Sequence, residues 1–329
     1  MTTAEILAAF RGLAALVVGD ICLDRWSTYD PATAEPSRET GIPRIGVVAT
    51  EVTPGAGGTA ANNLAALGAG RVSVLGATGE DGFGFELRRA LKARGIREEL
   101  MVTAPELTTF TYTKLLNSET GVEDQPRVDF IFTRPAPEAV EREVLDRLES
   151  AAGEHDVILV ADQAETEQGG IVTAAVRRLL ADLAGRYPDK IFWADSRMRV
   201  DLFRRLVLKP NRQEADAACR RLFGQVDYQQ LRRHAESPLL MVTRGAGGVL
   251  VVQAEGETPV PTRPVAHPVD ICGAGDSFSA GAALALAVTR SALEAARLGN
   301  LVASITIMKK GTGTASPEEV LAAAREFPG

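Results

Sequence analysis

The sequence predicts an α/β fold, a mostly parallel central sheet with helices on both faces, plus a small antiparallel β lid. Two observations carry this. Apolar runs rich in Val, Ile and Leu alternate along the chain with stretches of helical period, and strand-then-helix repetition builds parallel sheets covered on both faces. Three further segments alternate polar with apolar residues, the period of antiparallel strands with one exposed face. The 329 residues are organised accordingly as one large α/β domain over 1–329, with a discontinuous lid over approximately 25–54 and 107–134 inserted in it.

In chain order, the buried strands are expected at 13–18, 72–75, 157–160, 191–194, 206–208 and 239–242, each too short and too apolar for a surface helix. Helices are expected at 59–67, 83–94, 138–150, 171–185 and 213–222, where apolar residues recur every three or four positions. Residues 279–289 form a further helix, of small residues. The alternating segments are 45–52, 109–116 and 128–132. They pair as a lid whose closure excludes water, or as a dimerisation surface. In a parallel sheet, ligands bind beyond the carboxyl ends of the strands.

Composition excludes several classes. Formal net charge is -7, and binding nucleic acid non-specifically needs clustered Lys and Arg, so no nucleic-acid partner is expected. An anionic ligand must be held locally. Small-and-apolar runs such as 280–288 fall well short of the roughly 20 residues of a membrane helix, and residues 1–9 carry Glu5 and no basic residue, unlike a signal peptide. The expected compartment is the cytoplasm. Cys22, Cys219 and Cys272 are far apart without CxxC spacing, so they are read as reduced and mostly buried. His155, His234 and His267 stand in unrelated contexts.

Three glycine clusters compete as a phosphate cradle. Gly55-Ala56-Gly57-Gly58-Thr59-Ala60 satisfies GxGxxA, with Glu80 and Asp81 at ribose-contact distance in sequence. It follows an alternating strand rather than the buried first strand that a dinucleotide fold needs, which makes an NAD-dependent oxidoreductase the lesser alternative. Thr243-Arg244-Gly245-Ala246-Gly247-Gly248 lies between two apolar strands, as a plain turn or as amides facing a nucleotide. Asp270-Ile271-Cys272-Gly273-Ala274-Gly275-Asp276 runs into the small-residue helix. There, flexible glycines aim consecutive N–H groups at one point and the helix end adds positive potential. Asp276 either caps that helix or accepts a proton from an attacking hydroxyl. No GxxxxGK(S/T), HRD or DFG occurs, so P-loop and protein-kinase scaffolds are excluded.

Residues 270–276 resemble the C-terminal DTxGAGD signature of the PfkB, or ribokinase-like, carbohydrate kinases, and the resemblance extends over nearly the whole chain. Residues 17–24 resemble the family's first strand and substrate-binding Asp, 55–63 its N-terminal glycine signature, Asn211-Arg212-Gln213-Glu214 its NxxE motif, and 241–248 its nucleotide loop. Within the family, residues 19–26, 111–115, 127–129 and 311–317 are most similar to the heptose 7-phosphate kinases of ADP-heptose synthesis. Cys272 stands where Thr is usual, and Asp162-Gln163-Ala164-Glu165 replaces a DYGKG-like segment.

The resemblance implies a ribokinase-like fold and an ATP-dependent sugar or sugar-phosphate kinase. Asp276 would be its base, and Gly273, Ala274 and Gly275 its anion nest. It further implies substrate contacts at Asp20, Asp24, Gly55, Gly57, Gly58 and either Asn62 or Thr59, depending on register. Nucleotide contacts are implied at Asn211, Glu214, Thr243, Gly245, Gly248 and Asn300. Mg2+ would sit with ATP near Glu214 and Asn211 through waters, and a monovalent cation, K+, near Asp270 and the carbonyls of 311–314. For Asn211 and Glu214 the other reading is a capping box. Arg38, Arg44, Lys114 and Arg127 fall in the lid segments, either meeting a phosphorylated substrate or standing solvated. A homodimer through the lid is expected, and a non-catalytic sugar or nucleotide binder is the remaining alternative.

Overall fold

The computed structural model describes residues 1–327. Its centre is an eight-stranded sheet in the spatial order Gly256–Val260, Val249–Gln253, Leu240–Thr243, Val207–Leu208, Ile191–Ser196, Val157–Asp162, Ala14–Gly19 and Arg71–Leu75. All pairings from Leu240–Thr243 across to Arg71–Leu75 are parallel. Val249–Gln253 and Gly256–Val260 add an antiparallel hairpin at one edge. The chain starts at Ala14–Gly19 and steps first to one side and then to the other, so the strand order reverses beside it. Ligand crevices open at such a reversal.

Alternation along each strand feeds two separate cores. Ala15 and Val17 pack with Leu64, Leu284 and Val302, whereas Leu16 and Val18 pack with Val144, Leu148, Val176 and Leu231. The helix Ala274–Thr289 lies in the first of these layers and is buried without a break from Ser277 to Leu286. Small residues are required there. At its crossing with Ala292–Thr306, a Cβ on Gly281 would stand 2.8 Å from Val302 Cγ2, and one on Gly299 2.8 Å from the Phe278 ring.

The predicted helices all form, shifted by a few residues: Gly57–Ala66, Gly82–Lys92, Glu138–Ala152, Ala174–Arg186 and Arg212–Phe223. Four others were not expected from the sequence: Thr3–Ala9, Tyr228–His234, Ala292–Thr306 and Pro317–Glu326. Two are a single pair of turns, and Ala292–Thr306 is buried on most of its circumference, which erases amphipathic periodicity. No helix among the described residues is long and apolar enough to cross a membrane.

A second sheet has the order Val47–Ala56, Ile21–Tyr29, Thr111–Asn117 and Val128–Phe130. Its outer pairings are antiparallel, as expected. The central one, Ile21–Tyr29 with Thr111–Asn117, is parallel. Ile21–Tyr29 runs on from Ala14–Gly19 and Thr111–Asn117 enters alongside it in the same direction, so the small sheet is mixed. Cys22 and Cys219 are buried, but Cys272 is exposed, contrary to the expectation that it would be covered.

Candidate active site

A cleft of about 180 Å³ opens between the small sheet and the carboxyl end of the main one. Asp24 reaches it from Ile21–Tyr29, Thr59 from Gly57–Ala66, and Gly273 and Asp276 from the head of Ala274–Thr289. Gly273 is that helix's N-cap with φ 74°, a left-handed conformation suited to glycine. The amides that follow lie in the first turn, where no carbonyl of the helix can reach them, although that of Ala274 donates to the Ile271 carbonyl at 3.3 Å. Asp276 keeps partial solvent access, yet the protein around it raises its pKa. Burial is the largest cause, followed by the Asp195 carboxylate, with Lys209 opposing. A carboxylate made more basic in this way is a better proton acceptor near neutral pH.

Lys209, which the sequence reading passed over, is buried beside the nest and pairs with Asp195 at 2.8 Å. Burial works against its charge, but Asp195 and Glu214 more than offset that, so its pKa rises. The signal was present in the sequence as a lone cation joining a buried strand to the NxxE motif.

The two N-terminal aspartates have different surroundings. Asp24 lies against the backbone of Gly55, where a Cβ would come within 2.3 Å of its Oδ1. Burial raises its pKa to about 7, against the pull of Lys114 and Arg127. Asp20 is 2% exposed, and its carboxylate accepts from the amides of Gln163 and Ile171, each at 2.9 Å. It therefore fastens the loop 163–171 instead of facing the cleft. Arg199 holds the same loop by donating to the carbonyls of Glu167 and Gly169 while paired with buried Asp162.

In the glycine signature, Thr59 lines the cleft and Asn62 does not. Gly57 and Gly58 serve close packing: Cβ atoms there would meet Ile21 at 2.7 Å and Pro54 at 2.5 Å. The cluster follows the small-sheet strand Val47–Ala56, so its GxGxxA does not open a dinucleotide-binding βαβ unit.

Asn211 and Glu214 form the reciprocal capping box of Arg212–Phe223. Asn211 Oδ1 accepts from the Glu214 amide and Glu214 Oε2 from the Asn211 amide. Glu214 Oε1 is left over, and burial raises this carboxyl's pKa. A bridge pairs Asn211 with Thr243, which brings the NxxE segment against the turn holding Gly245 and Gly248. Gly248 has φ 73°, and a Cβ there would lie 2.2 Å from the Val260 carbonyl oxygen. Asn300 donates to the carbonyls of Val260 and Pro261, so it borders that turn with its amide hydrogens already used. It lines a separate cavity of about 230 Å³ with apolar walls including Ile6, Leu298 and Leu301, which has neither nest nor carboxylate pair. Asp270 joins two loops by accepting from the amides of Cys272 at 2.9 Å and Gly311 at 3.1 Å. Among the described residues no three His, Cys, Asp or Glu cluster to hold a metal. The leftover Glu214 oxygen suits a Mg2+ bound chiefly by phosphates and water.

Four cations line the cleft, Arg25, Lys114, Arg127 and Arg197. Each leans on a carboxylate: Glu86 at 3.7 Å, Glu123 at 3.7 Å, Asp129 at 2.7 Å and Glu165 at 2.5 Å. Arg197 was missed in the sequence because it lies in a loop after a buried strand, far from the others. Arg38 and Arg44 are exposed, with Arg44 on Glu35, and they do not line the cleft.

Residues 17–319 match the family model described as pfkB family carbohydrate kinase. The chain is 31% identical over 322 residues to the bifunctional protein HldE of Nitrobacter winogradskyi, covering 95% of this chain and 64% of that protein. It is 33% identical to HldE of a Caulobacter species over 342 residues, covering 97% and 64%. The chain thus spans somewhat less than two thirds of the length of these relatives. Among solved structures, phosphofructokinase-2 of Escherichia coli in complex with potassium aligns with TM-score 0.71 and 18% identity over 96% of this chain and 100% of that one. Ribokinase of Thermotoga maritima aligns with TM-score 0.70 and 21% identity over 95% and 99%. The fold is therefore ribokinase-like.

Proposed function

Because the chain belongs to the pfkB family of carbohydrate kinases, we propose that it transfers the γ-phosphate of ATP to a hydroxyl of a phosphorylated sugar, with a heptose 7-phosphate as the leading candidate. One observation carries this reading. Asp276, at the head of a helix, shares a cleft with Asp24 and with Lys114, Arg127 and Arg197, so a base, a hydroxyl-binding carboxylate and an anion grip surround one small volume.

Asp24 accepts hydrogen bonds from sugar hydroxyls and orients the acceptor. Asp276 takes the proton of the attacking hydroxyl. The amides from Gly273 to Gly275 face the charge that builds on the transferring phosphoryl oxygens. Lys114, Arg127 and Arg197 exchange partly exposed carboxylate partners for the sugar's own phosphate. Such surface pairs are worth only about 0–1 kcal/mol each, so the exchange costs little. Glu214 and Asn211 would hold Mg2+ through its waters, and the ion would supply charge neutralisation at the ATP phosphates. Asp270 and the loop 311–314 would hold a monovalent cation, K+. The small sheet acts as a lid. A second copy covers the exposed Val47, Val48 and Val128 of that sheet, giving a cytoplasmic homodimer.

The test is ADP release across hexoses, pentoses, nucleosides, fructose phosphates and heptose 7-phosphate, with and without K+. Turnover is expected with a sugar phosphate. Asp276→Asn is expected to lower kcat by about 10³-fold while nucleotide binding persists. Near-normal turnover in that variant removes Asp276 as base, and a preference for unphosphorylated sugars removes the phosphate grip.

A further inference from the structure

A cavity of about 440 Å³ opens at the amino end of the main sheet, by the first residues of Ile191–Ser196, Val207–Leu208 and Leu240–Thr243. The candidate active cleft, at the other end of the strands, holds about 180 Å³. Ile191, Phe192, Val207, Leu239 and Leu286, all buried, give the cavity an apolar floor. Three cations line it, Lys190, Arg205 and Arg290, against one carboxylate, Glu236. That balance is the reverse of the chain's own, which is -7. The backbone singles out the same place. Among the described residues four that are not glycine have positive φ, a conformation that side chains adopt at a cost. Ala56 lines the active cleft, and the other three, Arg205 at 67°, Glu236 at 50° and Arg290 at 56°, all line this cavity. Residues held in this way cluster at ligand clamps. The cations also keep donors in reserve. Arg205 commits Nε to Glu236 at 3.1 Å, and among the described residues its terminal nitrogens donate to nothing. Both partners are more than half exposed, and such a pair contributes little, so Glu236 yields to a better anion. Lys190 donates to the carbonyls of Gly153 and His155 at 2.9 and 2.7 Å, which leaves one of its three donors. Arg290 donates to the Asp189 carbonyl and is otherwise exposed.

We propose that this cavity is a second ligand site, which takes a small organic anion: one carboxylate or phosphate group on an apolar body. Arg205 and Arg290 hold the charged group, because the planar fork of a guanidinium matches either oxyanion. The body lies on the apolar floor, where its burial adds to affinity. The site stands independently of the kinase reading, since none of its residues lines the active cleft.

The test is calorimetry on the full chain with phenyl phosphate and phenylacetate, with inorganic phosphate as the charged group alone and benzyl alcohol as the body alone. At least one aromatic anion is expected to bind saturably, with Kd of about 1 mM or tighter. It should bind about tenfold or more tightly than either fragment, and the anion that binds identifies the charged group. Amide NMR shifts on binding should fall at 190–192, 205–207 and 236–239, with those of 273–276 unmoved. Arg205→Gln with Arg290→Gln, both exposed and outside the active cleft, should weaken binding about tenfold or more while the urea midpoint moves little. Glu236→Gln, which frees Arg205, should tighten binding by about two- to fivefold. The absence of saturable binding by either anion, shifts confined to 273–276, or affinity unchanged in the double variant overturns the assignment. Weaker binding in Glu236→Gln overturns it as well.

Discussion

Ala56→Gly should make this protein more stable, the reverse of what a glycine substitution usually does. Ala56 ends the strand Val47–Ala56 and caps the helix Gly57–Ala66 with φ 50° and ψ -119°. That is the conformation of the first central residue of a type II′ turn, a glycine position. Holding a Cβ there costs about 1–3 kcal/mol. Glycine relieves this but gives up roughly 0.5–1 kcal/mol through its freer unfolded chain. The alanine methyl borders the cleft, so no core packing is lost. The net gain is about 1–2 kcal/mol. Unfolding entropy of about 2.1 cal/mol/K per residue gives roughly 0.7 kcal/mol per degree for a chain of 329 residues. The expected rise in Tm is then about 1.5–3 °C by differential scanning calorimetry, with Ala56→Val moving the opposite way. A glycine variant that melts at or below the parent would refute the strain argument.

Stability should also rise as pH falls from 8 to 5. Asp20 and Asp24 have folded pKa values pushed up to about 6 and about 7 from 3.8, in both cases chiefly by burial. A raised folded pKa contributes stability that is complete below the unfolded value and lost as pH climbs through the folded one, which for Asp20 amounts to roughly 3 kcal/mol in full and about 1.4 kcal/mol between pH 8 and 5. Urea midpoints at pH 5, 6, 7 and 8 check this, and Asp24→Asn should flatten the upper half of the curve; a flat parent curve contradicts it. Arg199→Met leaves Asp162 buried without its cation and should cost about 3–5 kcal/mol, with faster proteolysis inside 163–171. A midpoint within about 1 kcal/mol of the parent would show that the loop is held by something else.

Six strands of the main sheet were legible because each is a short apolar run, and five helices because each keeps a stripe, whereas Gly256–Val260 is too polar to read as a buried strand and Ala292–Thr306 is buried on too many sides to show a stripe. What stayed hidden has two physical causes. Side chains that act through the fold have no local pattern. Arg197, Lys209 and Asp195 each follow or end a buried strand, and their convergence depends on strand order, which periodicity does not encode. Motif residues are also ambiguous between contact and support. Asp20 and Asp24 are four apart in one segment, yet one binds loop amides and the other lines the cleft, because the chain crosses from the main sheet to the small one between them. The capping box of Asn211 and Glu214 shows that local and ligand-facing readings are not exclusive, since one Glu214 oxygen serves the helix and the other remains.

With no side chain between them at Gly281 and Gly299, the helices Ala274–Thr289 and Ala292–Thr306 lock at a separation that neither can widen without losing contact or narrow without collision. The glycines 273–275 at the head of the first helix are therefore anchored to a continuously buried, closely packed helix pair. Any opening and closing motion has to be supplied by the four-stranded sheet, which joins the core through single chain crossings. Amide exchange should accordingly be slowest along 277–286 and fastest in the strands 47–53 and 128–130, whether or not a nucleotide is bound.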